Sequence, residues 1–565
     1  MLSPPRALLL LAPFALHASC AFVQTQRCDH AVGNDDDLVW LSLAVDLQQQ
    51  SGQASVMSME VHQALRDTNC SDALTTFSAT LDQDMLGHHS QYDDKGSSEC
   101  RTWNMLLGGS SQEYLVYPMT FDLTLPPLST FDIRLQLETT EKRSAVCLQA
   151  NITPALSNKT SNTLLWAPTT IFIFVLLVGI LRGFNERTHD PGNMLRTSDL
   201  NLPGVGEYLS YLQFIFLSGS LSLQYPGFFQ PVVSKLHLFS LFSRGPIQTE
   251  HMYRGVEGGI YAINGTYGGT SGLEHMHQIV GAPQTMITWY NFIIAFLIIS
   301  AAAALVVETV TTCRGRFERK HNCTLQAPTS RRLSARVIAI LRLILSYFTL
   351  PLCALSSYQL SAAAQVPIYH MVFATLLIIA SILAFVWVFR QLPPQSAARL
   401  IHGVPKWYQK EIAESTPYGN PDADKFFATT VVVLTFVRGA VIGGLQKYGP
   451  VQLALLATSE FGFLVAIRWL RAYSICTIGT IAPACRLLVL ILMIPFVQGL
   501  TKGSPKSAIG YAILALHASM IFLGFLLPTI YHFSVICRNV VMHLTGQVCL
   551  RNYPISRLLL MLTSA

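Results

Sequence analysis

From Thr163 onward the chain carries nine apolar runs, each long enough, or nearly so, to cross the roughly 30 Å hydrocarbon core of a bilayer. They read at 164–182, 206–224, 285–309, 337–358, 367–389, 427–446, 451–469, 485–501 and 508–531. Nothing in lipid can hydrogen-bond an exposed N–H or C=O, so runs of this kind are predicted to be helices. The eighth is short and carries Pro495, which predicts a kink or a partial tilt. The composition agrees: 51% of the 565 residues are hydrophobic and 12% charged, against about 25% charged in an average soluble domain. The net charge is +6, with no basic patch interleaved with aromatics, so nucleic acid is not an expected partner.

The region before these runs belongs to a different solvent. Residues 1–21 read as a cleaved signal peptide, with Arg6, the apolar run Ala7–Leu16 and the small residues Ser19, Cys20 and Ala21. Four cysteines follow, Cys28, Cys70, Cys100 and Cys147. An even number in an oxidising compartment predicts two disulfides, and four cysteines allow three pairings. The nested pairing Cys28–Cys147 with Cys70–Cys100 is preferred, because the outer bridge would clasp the two ends of a domain. Asn69, Asn151 and Asn158 head glycosylation sequons in the same region.

Within residues 22–160 apolar and polar residues alternate. Phe121, Leu123 and Leu125 are spaced by two, as are Phe131, Ile133, Leu135 and Leu137, with Pro126-Pro127 between the runs. This is the period of half-buried strands, and Val56–Val61 and Val146–Ile152 add candidates. A β-sandwich is predicted. The acidic run Asp35–Asp37 lacks the alternation of a calcium loop and reads as a solvated turn.

Lysines and arginines set the orientation. Arg182, Arg187 and Arg196 follow the first run, and seven basic residues lie between Arg314 and Arg336. Arg390, Arg399, Lys406, Lys410 and Lys425 fill the next long connection, and Arg538, Arg551 and Arg557 lie in the tail. The alternate loops are nearly bare: Ser356–Gln365 has none and Gln446–Pro450 only Lys447. The positive-inside rule puts the basic loops and the C-terminus in the cytosol and residues 22–160 in the lumen or outside the cell. The sequon at Asn264 then faces the lumen. The long luminal loop near 225–284 holds Val232–Phe242, a candidate interfacial or re-entrant segment, then a glycine-rich stretch and the pair His275 and His277. Two histidines at i and i+2 do not share a helix face, so no metal site is predicted there.

Ionisable residues inside a span are costly and mark function by default. Arg438 lies within the sixth run and Glu460 near the middle of the seventh, at similar depth from the short turn that joins them. They are predicted to pair, either lining a polar pathway or locking two helices. Gly439, Gly443, Gly444 and Ala457 lie nearby and permit close helix approach. Glu308 and Arg342 sit nearer helix ends, where they can snorkel.

One segment resembles a known family. The second run reads Leu212-Gln213, then Ser218-Gly219-Ser220-Leu221, then Tyr225-Pro226. The pattern is similar to that of the fungal transient-receptor-potential-like family, which includes the flavin carrier proteins and fungal polycystin-like channels. The resemblance implies a luminal lipid-recognition (ML)-like β-sandwich over 22–160 and a TRP-like helical domain of about nine spans over 163–535. A short cytosolic tail, 536–565, completes the chain. It also implies a lipid or sterol held by the sandwich, against the face of Phe131, Ile133, Leu135 and Leu137. Calcium homeostasis, cell-wall integrity and import of flavin adenine dinucleotide into the endoplasmic reticulum are the implied roles. Two departures stand out. The family's Phe-Ala-Trp-Ser segment is here Leu236-His237-Leu238-Phe239-Ser240, and the tail is short.

The leading expectation is a cation or calcium channel of the endoplasmic reticulum or plasma membrane, assembled from several copies. Flavin import and a non-transporting lipid adaptor are the alternatives. No Walker loop, zinc signature or nucleophile elbow is present, so neither catalytic residues nor a cofactor beyond a lipid ligand are predicted.

Overall fold

The computed structural model describes residues 22–27, 41–49, 55–64, 74–85, 88–104, 111–123, 130–139, 145–153, 156–188, 204–242, 256–257, 260–261, 272–280, 285–320, 329–361, 367–391, 421–470, 477–501 and 504–544. They fall into two compact units, 1–157 with 253–267, and 158–252 with 268–565.

The first unit is built of strands. β1 (Phe22–Arg27), β4 (Thr76–Met85), β5 (His88–Ser97), β8 (Phe131–Thr139) and β9 (Ala145–Thr153) belong to one sheet. β2 (Leu41–Gln49), β3 (Ser55–Ala64), β6 (Glu99–Asn104) and β7 (Ser111–Leu123) form the other, in the order β2-β3-β7-β6. The pleat sends alternate residues to one face, and the sequence supplies apolar residues at that period. Met57, Met59 and Val61 on β3 and Leu115, Tyr117, Met119 and Phe121 on β7 meet Leu81 on β4, Leu148 on β9 and the four alternating residues of β8 in one core. Phe131, Ile133, Leu135 and Leu137 are all buried there.

The larger sheet draws on a distant part of the chain. β10 (Val256–Glu257) and β11 (Ile260–Tyr261) form a small hairpin, and β11 pairs in parallel with β1, Val23 opposite Ile260. The sheet order is β10-β11-β1-β9-β8-β4-β5. Part of the loop read as glycine-rich and turn-forming thus completes the edge of this unit. Cys100 and Cys147 are each disulfide-bonded. Cys28, Cys70, Asn69 and Asn264 lie outside the described residues, as do residues 1–21.

The second unit is helical. α1 (Asn158–Thr188), α5 (Thr285–Lys320), α6 (Thr329–Ser361), α7 (Ile368–Gln391), α8 (Pro421–Gly444) and α9 (Gly449–Trp469) are long helices. α10 (Ile478–Leu492) continues through a 3-10 turn at Ile494–Phe496. α11 (Ser504–Ser519) passes through a π-helical turn, Met520–Leu526, into α12 (Leu527–Leu544), which runs beyond residue 535. Seven candidate spans are long and apolar enough to cross a membrane among the described residues. α6 is not among the seven, although its 33 residues have the length to cross. Asn158, exposed, is the first residue of α1, and Asn151 lies on β9.

Two expectations need correction. The eighth span, placed at 485–501, is a helix from Ile478 to Leu492, so its boundaries shift toward the N-terminus. The second span, placed at 206–224, is helical only over α2 (Val205–Ser218). The 14 residues of α2 reach about 21 Å at 1.5 Å per residue, short of a hydrocarbon core.

Candidate functional site

The chain after α2 explains why the helix stops. Residues 219–226 are non-helical, yet Ser220 is fully buried. Buried irregular backbone is tolerated only where other groups satisfy its polar atoms. Here long side chains do so. Gln230 Nε2 donates to the Gly219 carbonyl at 2.9 Å, and Gln446 Nε2 to the Ser220 carbonyl at 3.1 Å. Gln452 Oε1 accepts from the Ser222 N–H at 3.0 Å, and Tyr225 donates its hydroxyl to the Ser218 carbonyl. The Gln224 N–H donates to the Phe496 carbonyl at 2.8 Å. The turn between α8 and α9 comes so close that a Cβ on Gly449 would lie 1.9 Å from the Ser222 carbonyl oxygen, so only glycine fits.

α3 (Phe229–Val233) and a 3-10 helix, Ser234–Ser240, then fold back into the bundle. Phe228, Phe229, Val233, Leu236 and Phe239 join its core, so the Val232–Phe242 stretch is an integral part of the helical unit. Gln213 ties α2 to it, donating to the carbonyls of Phe239 at 3.0 Å and Tyr347 at 2.8 Å. α4 (Gly272–Val280) carries His275 and His277; His277 is fully buried, and burial pushes its pKa down to about 3, so it stays neutral. Among the described residues no group of three or more histidine, cysteine or acidic side chains suits a metal ion.

Three charged residues of the bundle converge. The structure brings Arg438 and Glu460 together, Nε to Oε1 at 3.1 Å. A third residue, Arg486 on α10, binds the same carboxylate with its fork, Nε to Oε1 at 3.0 Å and Nη2 to Oε2 at 3.1 Å. The two-residue pair read from the sequence is therefore a triad that joins α8, α9 and α10. The Glu460 side chain is 3% exposed, that of Arg486 5% and that of Arg438 14%. Arg438 Nε also donates to Ser459 Oγ at 3.3 Å, and its guanidinium lies 5.4 Å from the centre of the Phe463 ring. Arg486 lies 6.0 Å from the ring of Phe214, on α2. A bidentate arginine–carboxylate pair is the strongest geometry such groups have. Beside the triad, the Tyr211 hydroxyl lies 3.1 Å from His517 Nδ1 and 3.4 Å from Cys485 Sγ.

A small cavity borders the triad. Its walls are Ser210, Phe214, Leu217 and Ser218 of α2, Leu350 of α6, Arg438 and Ile442 of α8, Leu456 and Glu460 of α9, and Arg486 and Leu490 of α10. Its volume is about 30 Å³. Of the small residues expected nearby, Gly439 and Gly443 do permit close packing. A Cβ on Gly443 would lie 1.9 Å from the Ala354 carbonyl oxygen of α6, whereas one on Gly444 would meet nothing within 4 Å. Glu308 on α5 is exposed at its position in the helix.

Comparison with known proteins follows this geometry. An uncharacterized membrane protein of Schizosaccharomyces pombe is 25% identical over 350 residues, which cover 58% of this chain and 38% of that protein. The chain thus spans well under half the length of that relative. A solved structure of chicken MD-1 complexed with lipid IVa matches 24% of this chain and 91% of its own, at 14% identity and a TM-score of 0.15, too low to bear on the fold. A family model described as the transient receptor potential (TRP) ion channel matches residues 165–543. That match covers more than half of the chain and takes in α2, the broken segment and all three members of the triad: the protein belongs to the TRP ion channel family.

Proposed function

We propose that the helical unit is a cation-permeable channel, with the β unit a luminal or extracellular module. The family match over residues 165–543 carries this reading. In it, calcium is a permeant ion, the protein resides in the endoplasmic reticulum or plasma membrane, and several copies assemble. Calcium homeostasis and cell-wall integrity are then its consequences for the cell.

The triad acts in this reading as a lock rather than as a wall of the cation path. Two guanidiniums face one carboxylate, so the cluster is net positive and repels cations. Cations pass elsewhere, while the triad holds α8, α9 and α10 in register. Flavin import fits this cavity poorly: a volume of about 30 Å³ is far below the roughly 300–1,000 Å³ of cofactor sites.

The test is flux through purified protein in liposomes, with potassium and calcium reporters in one set and flavin adenine dinucleotide uptake in a matched set. Cation flux without flavin uptake is expected. Flavin uptake with sealed cation barriers would overturn the reading.

A further inference from the structure

The short helix α4 sends one face into the bundle. Leu273, Met276 and His277, at positions i, i+3 and i+4, are fully buried. The helix packs against α3, the 3-10 helix Ser234–Ser240 and α5. Leucine and methionine gain from burial on such a face, but a histidine does not. The His277 ring lies among aromatic rings, 5.1 Å from that of Phe242 and 6.3 Å from that of Tyr358 on α6. Both of its nitrogens are buried, and neither has a hydrogen-bond partner among the described residues. A neutral imidazole already carries one N–H there with no acceptor. A second proton adds a charge and a second unmet donor in the same place.

The elements packed around α4 bring no counter-charge. α3, the 3-10 helix and α6 contain no aspartate or glutamate, and the first carboxylate of α5 is Glu308, beyond its midpoint. Their titratable groups at this end are Lys235 and His237 on the 3-10 helix, Tyr290 on α5 and Tyr358 on α6. The residues after α2 and at the end of α8 add Tyr225 and Lys447. Glu274 and His275 belong to α4 itself and travel with His277 when the helix moves. Burial lowers the His277 pKa to about 3, whereas a free histidine titrates near about 6.5. The buried state is therefore at full strength above about pH 6.5 and loses ground as pH falls toward 3, about tenfold per unit.

α4 also secures the break after α2. The Leu273 N–H donates to Gln446 Oε1 at 2.9 Å, and the same oxygen accepts from Ser222 Oγ at 3.1 Å. Nε2 of that amide donates to the Ser220 carbonyl. Met276 packs at Gly219, where a Cβ would lie 3.4 Å from its Sδ and Cε. One side-chain amide thus joins α4, the broken segment and α8. We propose that α4 is an acid-released latch: protonation of His277 detaches it from the Phe242 and Tyr358 rings, takes the Leu273 N–H from Gln446 and loosens the broken segment. The ring takes its proton as α4 fluctuates open, and the charge then keeps it from returning between the aromatic rings. The latch does not depend on what the bundle conducts, so its assay and the flux assay can fail separately.

The experiment is hydrogen–deuterium exchange of the purified full-length protein in detergent, across about pH 8 to about pH 4, corrected for the intrinsic pH dependence of amide exchange. Between about pH 7.5 and about pH 5, the amides of 273–280 should lose about thirtyfold in protection, while those of β4 and β8 keep theirs. The loss should vanish in His277→Phe, a ring suited to aromatic walls. It should persist in Glu274→Gln and in His532→Gln, a change at an exposed histidine of α12. Unchanged protection of α4, or a loss spread equally over α9 and α10, would overturn the proposal. So would a loss that survives in His277→Phe or disappears in Glu274→Gln. Should His277→Phe fail to accumulate, the wild-type profile decides. A decline setting in near about pH 6.5 is expected, and one that starts only below about pH 5, where carboxylates titrate, defeats the latch.

Discussion

Glu60 and Glu460 carry the same carboxylate in opposite settings. Glu60, on β3, meets Arg101 at 3.1 Å on the surface of the β unit, where the two side chains are 30% and 43% exposed. Glu460 holds two arginines inside the helical unit at 3% exposure. The apolar residues are exchanged in the same sense. The β unit gathers them between its sheets, while the helical unit turns Leu297, Leu383 and Phe461 outward at 59–61% exposure. Water rewards burial of apolar surface in the first unit. Lipid gives no such reward for bringing helices together, so close packing and internal polar contacts must do it. In the first unit the buried polar side chains are few among the described residues, Gln83, Ser98 and Thr153; in the second, buried polar groups hold particular helices together.

Substitutions can break or sharpen this contrast. The largest effect is expected from Glu460→Gln, which strands two buried guanidiniums and should cost about 3–5 kcal/mol. Glu60→Gln should cost about 0–1 kcal/mol. Arg486→Gln should be worse than Arg438→Gln, since the latter leaves a neutral bidentate pair, and adding Arg438→Gln to Glu460→Gln should restore part of the loss. Unfolding of the full-length protein in detergent measures all of these. Equal losses for the two glutamate variants would erase the contrast.

Next in size, Leu135→Ala opens a hole between the sheets and should cost about 2–5 kcal/mol. Leu383→Ala, on the outer face of α7, should stay within about 0.5 kcal/mol. Protease resistance on heating reads both; a larger loss at Leu383 would mean that this face is covered by protein rather than lipid. Smaller still, Gly443→Ala forces α6 and α8 apart and should cost about 1–3 kcal/mol. Gly444→Ala, one residue on, meets open space and should be neutral or gain up to about 1 kcal/mol of helix propensity. A final test concerns connectivity. Antiparallel β1 and β9 place Arg27 opposite Leu148, and that register predicts a Cys28–Cys147 bridge. Non-reducing peptide maps that join Cys28 to Cys70 or Cys100 would refute it.

What could be read in advance follows from how local each signal is. The strands at Phe131–Leu137 and Val56–Val61 announce themselves through a two-residue period, and most membrane helices through length alone. The end of α2 has no such mark, because the apolar run continues past Ser218 to Leu223. The acceptors and donors that permit the break, Gln446 and Gln452, come from more than two hundred residues away. Arg438 and Glu460 were legible because each sits well inside an apolar run. Arg486 reads as a cation of the eighth run, but the boundary at 485 sets it at that run's second residue, with no sign that it joins the pair. The helix instead begins at Ile478 and passes through Pro483, which puts Arg486 in its interior.

The pairing of β1 with β11 bears on how the protein is made. β1 precedes α1 and α2 in the chain, yet its parallel neighbour is made only after both have been translated. Nascent domains generally fold as they emerge, but this sheet must wait with one edge open. An open edge is a template for wrong partners. A chain in which α1, α2 and the segment after them failed to fold would keep Ile260 from Val23 and leave that edge bare. Closure of the sheet therefore depends on the helices between its strands, and a chaperone that surveys unpaired edges would read their state without touching them.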